Sequence, residues 1–231
     1  CVELRTRRED GFELDPEALG SAVSGRTRLL ILNTPSYPAG TVYRRETLEA
    51  VAEIVVRSNF MVLADEALKS FCYEPERPHV SFASLSTEAA KRSITVGGFS
   101  AGCCMEEHPV GFAAAPEWLS GRIIALQQCI CCGASVVDQH CALAALEMPA
   151  QEELVDFRRA VAANRDRLCL KLEGVPGLEV FRPAGGLSLL CGIAGFGMKS
   201  ELFCDRLLRE ELLEAVPGRE FGTEGYIGLA F

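Results

Sequence analysis

The sequence predicts an α/β fold: a mostly parallel sheet sandwiched by helices, with a small α+β C-terminal domain packed on its end. Three observations lead there. Short, continuous apolar runs at 29–32, 60–64 and 93–98 alternate with longer stretches of helical period, and unbroken apolar runs joined by helices mark a parallel sheet covered on both faces. Each run stops on turn-forming or polar residues. Beyond the Gly/Pro cluster at 174–177 the pattern changes to short strands around one helix.

In chain order, residues 29–32 form the first strand. The segment 33–40, Asn-Thr-Pro-Ser-Tyr-Pro-Ala-Gly, ends it, because two prolines and a glycine forbid its continuation. Residues 45–57 predict an amphipathic helix, with Leu48, Val51, Ala52 and Val55 recurring at i, i+3, i+4 and i+7. The second strand, 60–64, ends on Asp65 and Glu66. The third, 93–98, ends on Phe99 and Ser100, and residues 110–114 form a fourth. Residues 116–148 predict helices carrying Trp118, Leu119, Ile123, Ile124 and Leu126. A long helix over 151–172 follows, closed by Glu-Gly-Val-Pro-Gly. Strands at 178–181, 187–191 and 226–231 surround a helix at 200–213. The expected division is a partial large domain over 1–148, then an interdomain helix and small C-terminal domain over 149–231.

The 231 residues are 48% hydrophobic and 24% charged. That supplies a real core and excludes a disordered or fibrous chain. A formal charge of −9 with no basic stripe argues against nucleic acid and anionic membranes as partners. The longest weakly polar stretch, 123–137, contains Gln127 and Gln128 and is too short to span a bilayer. The N-terminal run Cys-Val-Glu-Leu-Arg-Thr-Arg-Arg has no apolar core of a signal peptide and no initiator Met. A cytoplasmic chain that starts inside a longer parent is the expectation.

Eleven cysteines occur, in an odd count and without the pairing of a small disulfide scaffold. They include Cys103-Cys104 and Cys129-Ile-Cys131-Cys132, with His108 and His140 at some distance, and they do not supply the paired spacing of a four-ligand zinc site. Most are expected to be buried small hydrophobes in a reducing compartment, with no metal bound. Thiol or metal chemistry is the alternative. His79, His108 and His140 read as structural or surface histidines.

Ligands of open parallel sheets bind at the carboxyl ends of the strands. Three such ends here are polar: Asn33 with its Pro-rich loop, Asp65-Glu66, and Ser100. A carboxylate at the base of such a crevice suits a protonated ring nitrogen. Asp65 reads equally well as the N-cap of a following helix.

Taken together, these segments resemble the class I/II aminotransferases, the fold type I pyridoxal phosphate enzymes. Leu-Ile-Leu-Asn-Thr-Pro-Ser-Tyr-Pro-Ala-Gly-Thr-Val-Tyr, residues 30–43, resembles the family loop N-x-P-x-N-P-T-G. Val-Leu-Ala-Asp-Glu at 62–66 is similar to the strand bearing the pyridine-nitrogen aspartate. Residues 95–100 resemble the segment leading into Ser-Lys, and 110–116 the strand that follows. Val216-Pro217-Gly218, Phe221-Gly222 and Gly225-Tyr226-Ile227 resemble the small-domain end of the family. The matches run in order along nearly the whole chain.

The resemblance implies pyridoxal phosphate as cofactor, with Asp65 and Ser100 as the surviving binding positions. It also exposes losses. Ala101 stands at the Schiff-base lysine, Tyr37 at the loop asparagine, and Leu68 at the aromatic position after the aspartate. Pro109 stands at the phosphate-clamping arginine and Gly228 at the substrate-carboxylate arginine. Without the lysine there is no amine to form the imine or shuttle the proton. Without the arginines there is no charge-assisted clamp on either anion, and Glu106 and Glu107 add repulsion beside the old phosphate end. Lys69, four residues past Asp65, is the one other lysine near a strand end; it reads as a solvated helix lysine.

The implied function is therefore an aminotransferase-like protein that is catalytically degenerate, a pseudoenzyme or partner subunit. One alternative is a pyridoxal phosphate-binding transferase with non-Schiff-base chemistry. The other is a thiol- or metal-binding domain on the same scaffold. The chain lacks the family's N-terminal part, so a homodimer, or a partner supplying that half, is expected.

Overall fold

The structure is a computed structural model that describes residues 1–147 and 152–231. The first sheet contains β1 (Leu29–Asn33), β2 (Met61–Asp65), β3 (Ser93–Gly98) and β4 (Gly111–Ala114), hydrogen-bonded in that order. β1 and β2 pair in parallel, as do β2 and β3, while β4 runs antiparallel to β3. The register sets Asn33 against Asp65 and Asp65 against Val96. The second sheet is antiparallel throughout, in the order β5 (Glu179–Phe181), β6 (Ser188–Gly192), β8 (Tyr226–Ala230), β7 (Val216–Pro217).

Three helices cover one face of the first sheet: α1 (Pro16–Ala22), α2 (Arg45–Ser58) and α3 (Thr87–Ala90). α2 buries the residues that the periodicity selected, Leu48, Val51, Ala52 and Val55, together with Ile54. It stops where Asn59 takes a left-handed conformation (φ +54°) and its N–H caps Val55 O. Its start is fixed by buried Glu13, whose carboxylate accepts from Arg44 N, the Arg44 guanidinium and Thr47 Oγ1. α1 was not read from the sequence, although Asp15 caps it through Glu17 N and Pro16 opens it.

Along the chain follow the short α4 (Ser100–Cys103), α5 (Glu117–Cys131), α6 (Val136–Glu147), the long α7 (Glu152–Glu173) and α8 (Ser200–Glu211). The expected helical stretch 116–148 is broken after Cys131, where Cys132 and Gly133 both take positive φ. The expected domain boundary between 148 and 149 lies outside the described residues.

The opposite face of the first sheet is open at β1, where Leu29 and Ile31 are exposed. All four residues of β4 are exposed, and α5 buries none of its residues. Trp118, Ile124, Leu126 and Ile130 all project outward. Exposed large apolar side chains on both edge strands and on α5 favour association.

Two sheets in one body need a junction, and it is made of backbone. Gly185 N donates to Gly40 O (2.8 Å), Gly186 N to Phe71 O (2.9 Å) and Tyr73 N to Ala184 O (2.8 Å). Tyr73 O–H donates to Gly186 O (2.5 Å). The buried Arg165 of α7 stacks on the Tyr73 ring, 4.4 Å from its centroid, and donates to Pro183 O. Such close backbone approach requires glycine. At Gly40 (φ +67°) a Cβ would lie 2.3 Å from Pro183 Cβ and 2.5 Å from Gly185 O. Gly40→Ala is therefore expected to lower stability by about 3 kcal/mol through strain and displacement of the 183–186 turn, seen as a lower urea midpoint. An unchanged midpoint would show that the junction is not tight.

Candidate functional site

The carboxyl ends of β1, β2 and β3 meet at one level and form the floor of a crevice, the position open parallel sheets use for ligands. Asn33 ties its rim: its Nδ2 donates to Asp65 O (3.4 Å) and its Oδ1 accepts from Tyr37 N (2.8 Å). That side-chain contact folds the loop after β1 back over the strand end. Asp65 ends β2 half-buried, and its Oδ1 accepts from Ala67 N (3.1 Å). The carboxylate thus caps a turn rather than the helix that one reading of the sequence foresaw.

Tyr37 is exposed and meets Phe221 edge-on, with centroids 5.4 Å apart, so the two rings bridge the β1 loop and the small domain. Gly228 lies buried beneath them. A Cβ there would come within 3.3 Å of the Phe221 ring and 3.7 Å of Pro38 Cβ. Ser100 opens α4, and Ala101, half-buried on the same turn, presents only a methyl group. Leu68 packs toward Gly186. Pro109 is exposed, in the loop that also carries exposed Glu106 and Glu107. A large open cavity of about 1410 Å³ takes Asn33, Tyr37 and Phe221 into its wall, together with Arg5 and Arg7.

Lys69 does not serve this crevice. Its ammonium sits 5.6 Å from the Phe112 ring centroid. Phe112 pairs with Gly97, and its ring fills the space over Gly97 where a Cβ would point. Gly97 and Thr95 share a sheet face with Ala64, the face that packs on α2. Asp65 alternates with Ala64 and points to the other face. Lys69 is exposed, in a turn rather than on a helix.

The histidines separate. His140 is exposed on α6. His108 Nδ1 pairs with Asp138 Oδ1 (2.9 Å), tying the 104–110 loop to α6. His79 lies against Glu66, a pairing that the sequence reading missed although Glu66 directly follows Asp65. Glu66 is buried and accepts from Ser81 Oγ (2.7 Å) and Phe82 N (3.1 Å). His79 Nε2 lies 3.2 Å from its Oε2, close but poorly aligned for a hydrogen bond. Burial pushes the Glu66 carboxyl up, yet the His79, Ser81 and Phe82 contacts together outweigh it and hold the group below its ordinary value.

The cysteines correct an expectation. Only Cys169, Cys191 and Cys204 are buried; Cys72, Cys103 and Cys141 are partly buried, and Cys1, Cys104, Cys129, Cys131 and Cys132 are exposed. The expectation rested on the missing disulfide and zinc spacings and the usual burial of free cysteine, but α5, which carries Cys129 and Cys131, buries none of its residues. No three metal-ligating side chains converge among the described residues. Burial raises the Cys191 thiol to about 12, which leaves it inert.

The crevice geometry accords with what the chain is similar to. The family model for class I and II aminotransferases matches residues 1–230. The chain belongs to this aminotransferase family. It is 31% identical to a probable aspartate/prephenate aminotransferase of Aquifex aeolicus and 32% identical to aromatic-amino-acid aminotransferase 2 of Thermococcus litoralis. Each match takes in all of this chain but only 59% of the relative. Among solved structures, a Pyrococcus protein designated A1 superposes with a TM-score of 0.94 at 32% identity, and covers 99% of this chain and 59% of that one. The aspartate aminotransferase of Thermus thermophilus with maleate gives 0.91 at 28%, with the same two coverages. These fold type I neighbours bear out the expected α/β architecture, and family members of this kind generally use pyridoxal phosphate. No helix among the described residues is long and apolar enough to cross a membrane.

Glu66 yields a pH prediction. A carboxyl held below its ordinary value of 4.5 in the fold stabilises the protein above that value, and the contribution is lost as pH falls through it toward the folded-state value. Glu66→Gln is expected to flatten the acid limb of a stability-against-pH curve and to lower stability at neutral pH. An acid limb unchanged by the substitution would place the acid lability elsewhere.

Proposed function

We propose that this chain is a degenerate member of the aminotransferase family, which does not transaminate and acts as a pseudoenzyme or partner subunit. The observation that carries the reading is Ala101 on the first turn of α4, with no lysine among the described residues set beside the floor formed by Asn33 and Asp65. Lys69, the one lysine near a strand end, is turned to the other face of the sheet.

The donor set argues against a covalently held pyridoxal phosphate. Asp65 could face a ring nitrogen and Ser100 offers a hydroxyl, but the phosphate end has Pro109 in place of a guanidinium and two carboxylates in the same loop. A phosphate brought there meets net repulsion. Gly228 gives a substrate carboxylate no donor, and Tyr37 with Phe221 presents aromatic faces instead of an amide. No reaction step is therefore assigned to the cofactor. Noncovalent binding over Asp65 is the second reading, favoured by the carboxylate's position at the strand end.

The open face of β1, the exposed β4 and the uncovered α5 support association, either as a homodimer or with a chain segment that completes the sheet. The family relation, with 59% of the relatives' length represented, supports the second form. The presence of two sheets supports the division into a partial large domain over 1–148 and an interdomain helix with a small C-terminal domain over 149–231. The formal charge of −9 argues against nucleic acid and anionic membranes as partners.

Two outcomes are expected. No turnover of common amino acids with a 2-oxo acid and added pyridoxal phosphate should exceed background, and Ala101→Lys alone should not restore it, because Tyr37, Pro109 and Gly228 remain. Cofactor-dependent turnover by the native chain would sink the proposal. Sedimentation at micromolar concentration should show a dimer or larger species, and a compact, stable monomer would contradict the proposed role of the open face.

A further inference from the structure

We propose that Glu66 and His79 form a proton-operated latch, which ties the 79–82 segment to the end of β2 when His79 is protonated and loosens it when His79 is neutral. The pair lies inside the protein, with the His79 side chain 12% exposed and that of Glu66 3%. Neither residue belongs to the open face of β1, to β4 or to α5, and the latch needs only a proton to reach it. Glu66 holds one end. Its N–H donates to Val96 O (2.9 Å), which fixes it beside Asp65 at the strand ends. Its carboxylate accepts from Ser81 Oγ and Phe82 N, and Phe82 is fully buried in the apolar core of the first sheet.

A carboxylate enclosed in this way is costly unless a positive group lies beside it, and both of these donors are neutral. His79 Nε2, 3.2 Å from Glu66 Oε2, is the group placed to supply the charge. Both of its ring nitrogens are buried without a hydrogen-bond partner. A neutral ring there leaves the carboxylate uncompensated. A protonated ring neutralises it and sets a charged N–H against it, the stronger kind of hydrogen bond. Among the described residues no other group takes this role. Lys69 sits over the Phe112 ring, and Arg77 reaches Glu13 (3.8 Å). Glu74 and Glu76, in the same loop as His79, supply no positive charge. The Cys72 sulfur lies against His79 N–H, and burial pushes its thiol up to about 11, so it stays uncharged. In α3, Glu88 pairs with Lys91 and Arg92. β3 and the turn at 82–84 carry no charged side chain.

The closed segment therefore holds the His79 proton more firmly than an open one does. By linkage, the latch is shut on the acid side of the span in which histidines change charge, about pH 5 to 8, and it opens as pH rises through that span. It fails again in stronger acid, where Glu66, held below its ordinary value of 4.5, is itself protonated. Glu66 directly follows Asp65, so opening frees the turn that leaves the crevice floor.

The test is amide hydrogen exchange on the full chain, corrected for the intrinsic effect of pH and read at Phe82 N–H, whose acceptor is Glu66 itself. Protection there should be about tenfold higher at about pH 5.5 than at about pH 8, while the amides of α2 keep theirs. His79→Gln should show the lower protection at both pH values. Glu66→Gln, which removes the charge that the proton answers, should also abolish the pH dependence. The native series decides alone if a variant does not fold. Equal protection of the native Phe82 N–H at both pH values would overturn the inference. So would a pH dependence that persists in His79→Gln, or one shared by α2, which reports global stability.

Discussion

The in-register parallel pairing of β1, β2 and β3 is the constraint on which the rest depends. It brings Asn33, Asp65 and Val96 to one level, so that three strand ends share one floor. The loops leaving that floor are then fixed by short polar contacts: Asn33 to Tyr37, Asp65 to Ala67, Glu66 to Ser81 and Phe82. A register slip by one residue would turn Asp65 into the α2-packed core and bring Ala64 to the crevice, since strand side chains alternate. Burying an unpaired carboxylate there would be strongly unfavourable, so the apolar core and the polar floor enforce the same register.

In the proposed reading, that floor is kept while the groups around it that the family resemblance implies are replaced. Asp65 and the segment leading from β3 into α4 are positioned by strand pairing, Asp65 against Val96, rather than by any side chain of the crevice. Ala101, Pro109 and Gly228 are compatible with the fold because none of the replaced groups is needed to hold it. At position 228 the buried strand now packs Phe221 and Pro38 closely. Stability and chemistry are separable here, as expected when function resides in a site grafted on a scaffold.

Much of the fold was legible because it follows from periodicity. The runs at 29–32, 60–64 and 93–98 became β1, β2 and β3 within a residue or so, and the apolar spacing of α2 named the residues it buries. The family was legible through ordered motifs, above all the loop after Asn33 and the Asp65 strand end. What was not legible depends on long-range contact. The Glu66–His79 pairing joins a strand end to a residue in a Pro-flanked loop, and Arg165 finds Tyr73 across the two sheets. Sequence periodicity cannot see either. The cysteines of α5 failed for a different reason: their expected burial rested on residue type and the missing ligand spacing, and neither says what covers a given helix.

The central claim is that the crevice has no lysine placed to hold the cofactor. Incubation of the native chain with pyridoxal phosphate, borohydride reduction to fix any imine, and peptide mapping tests it directly. Weak, scattered labelling of Lys69, Lys91, Lys171 and Lys199 in proportion to exposure is the expected result. Stoichiometric labelling of one lysine, together with protection of that lysine by a phosphate-free pyridoxal analogue, would contradict it.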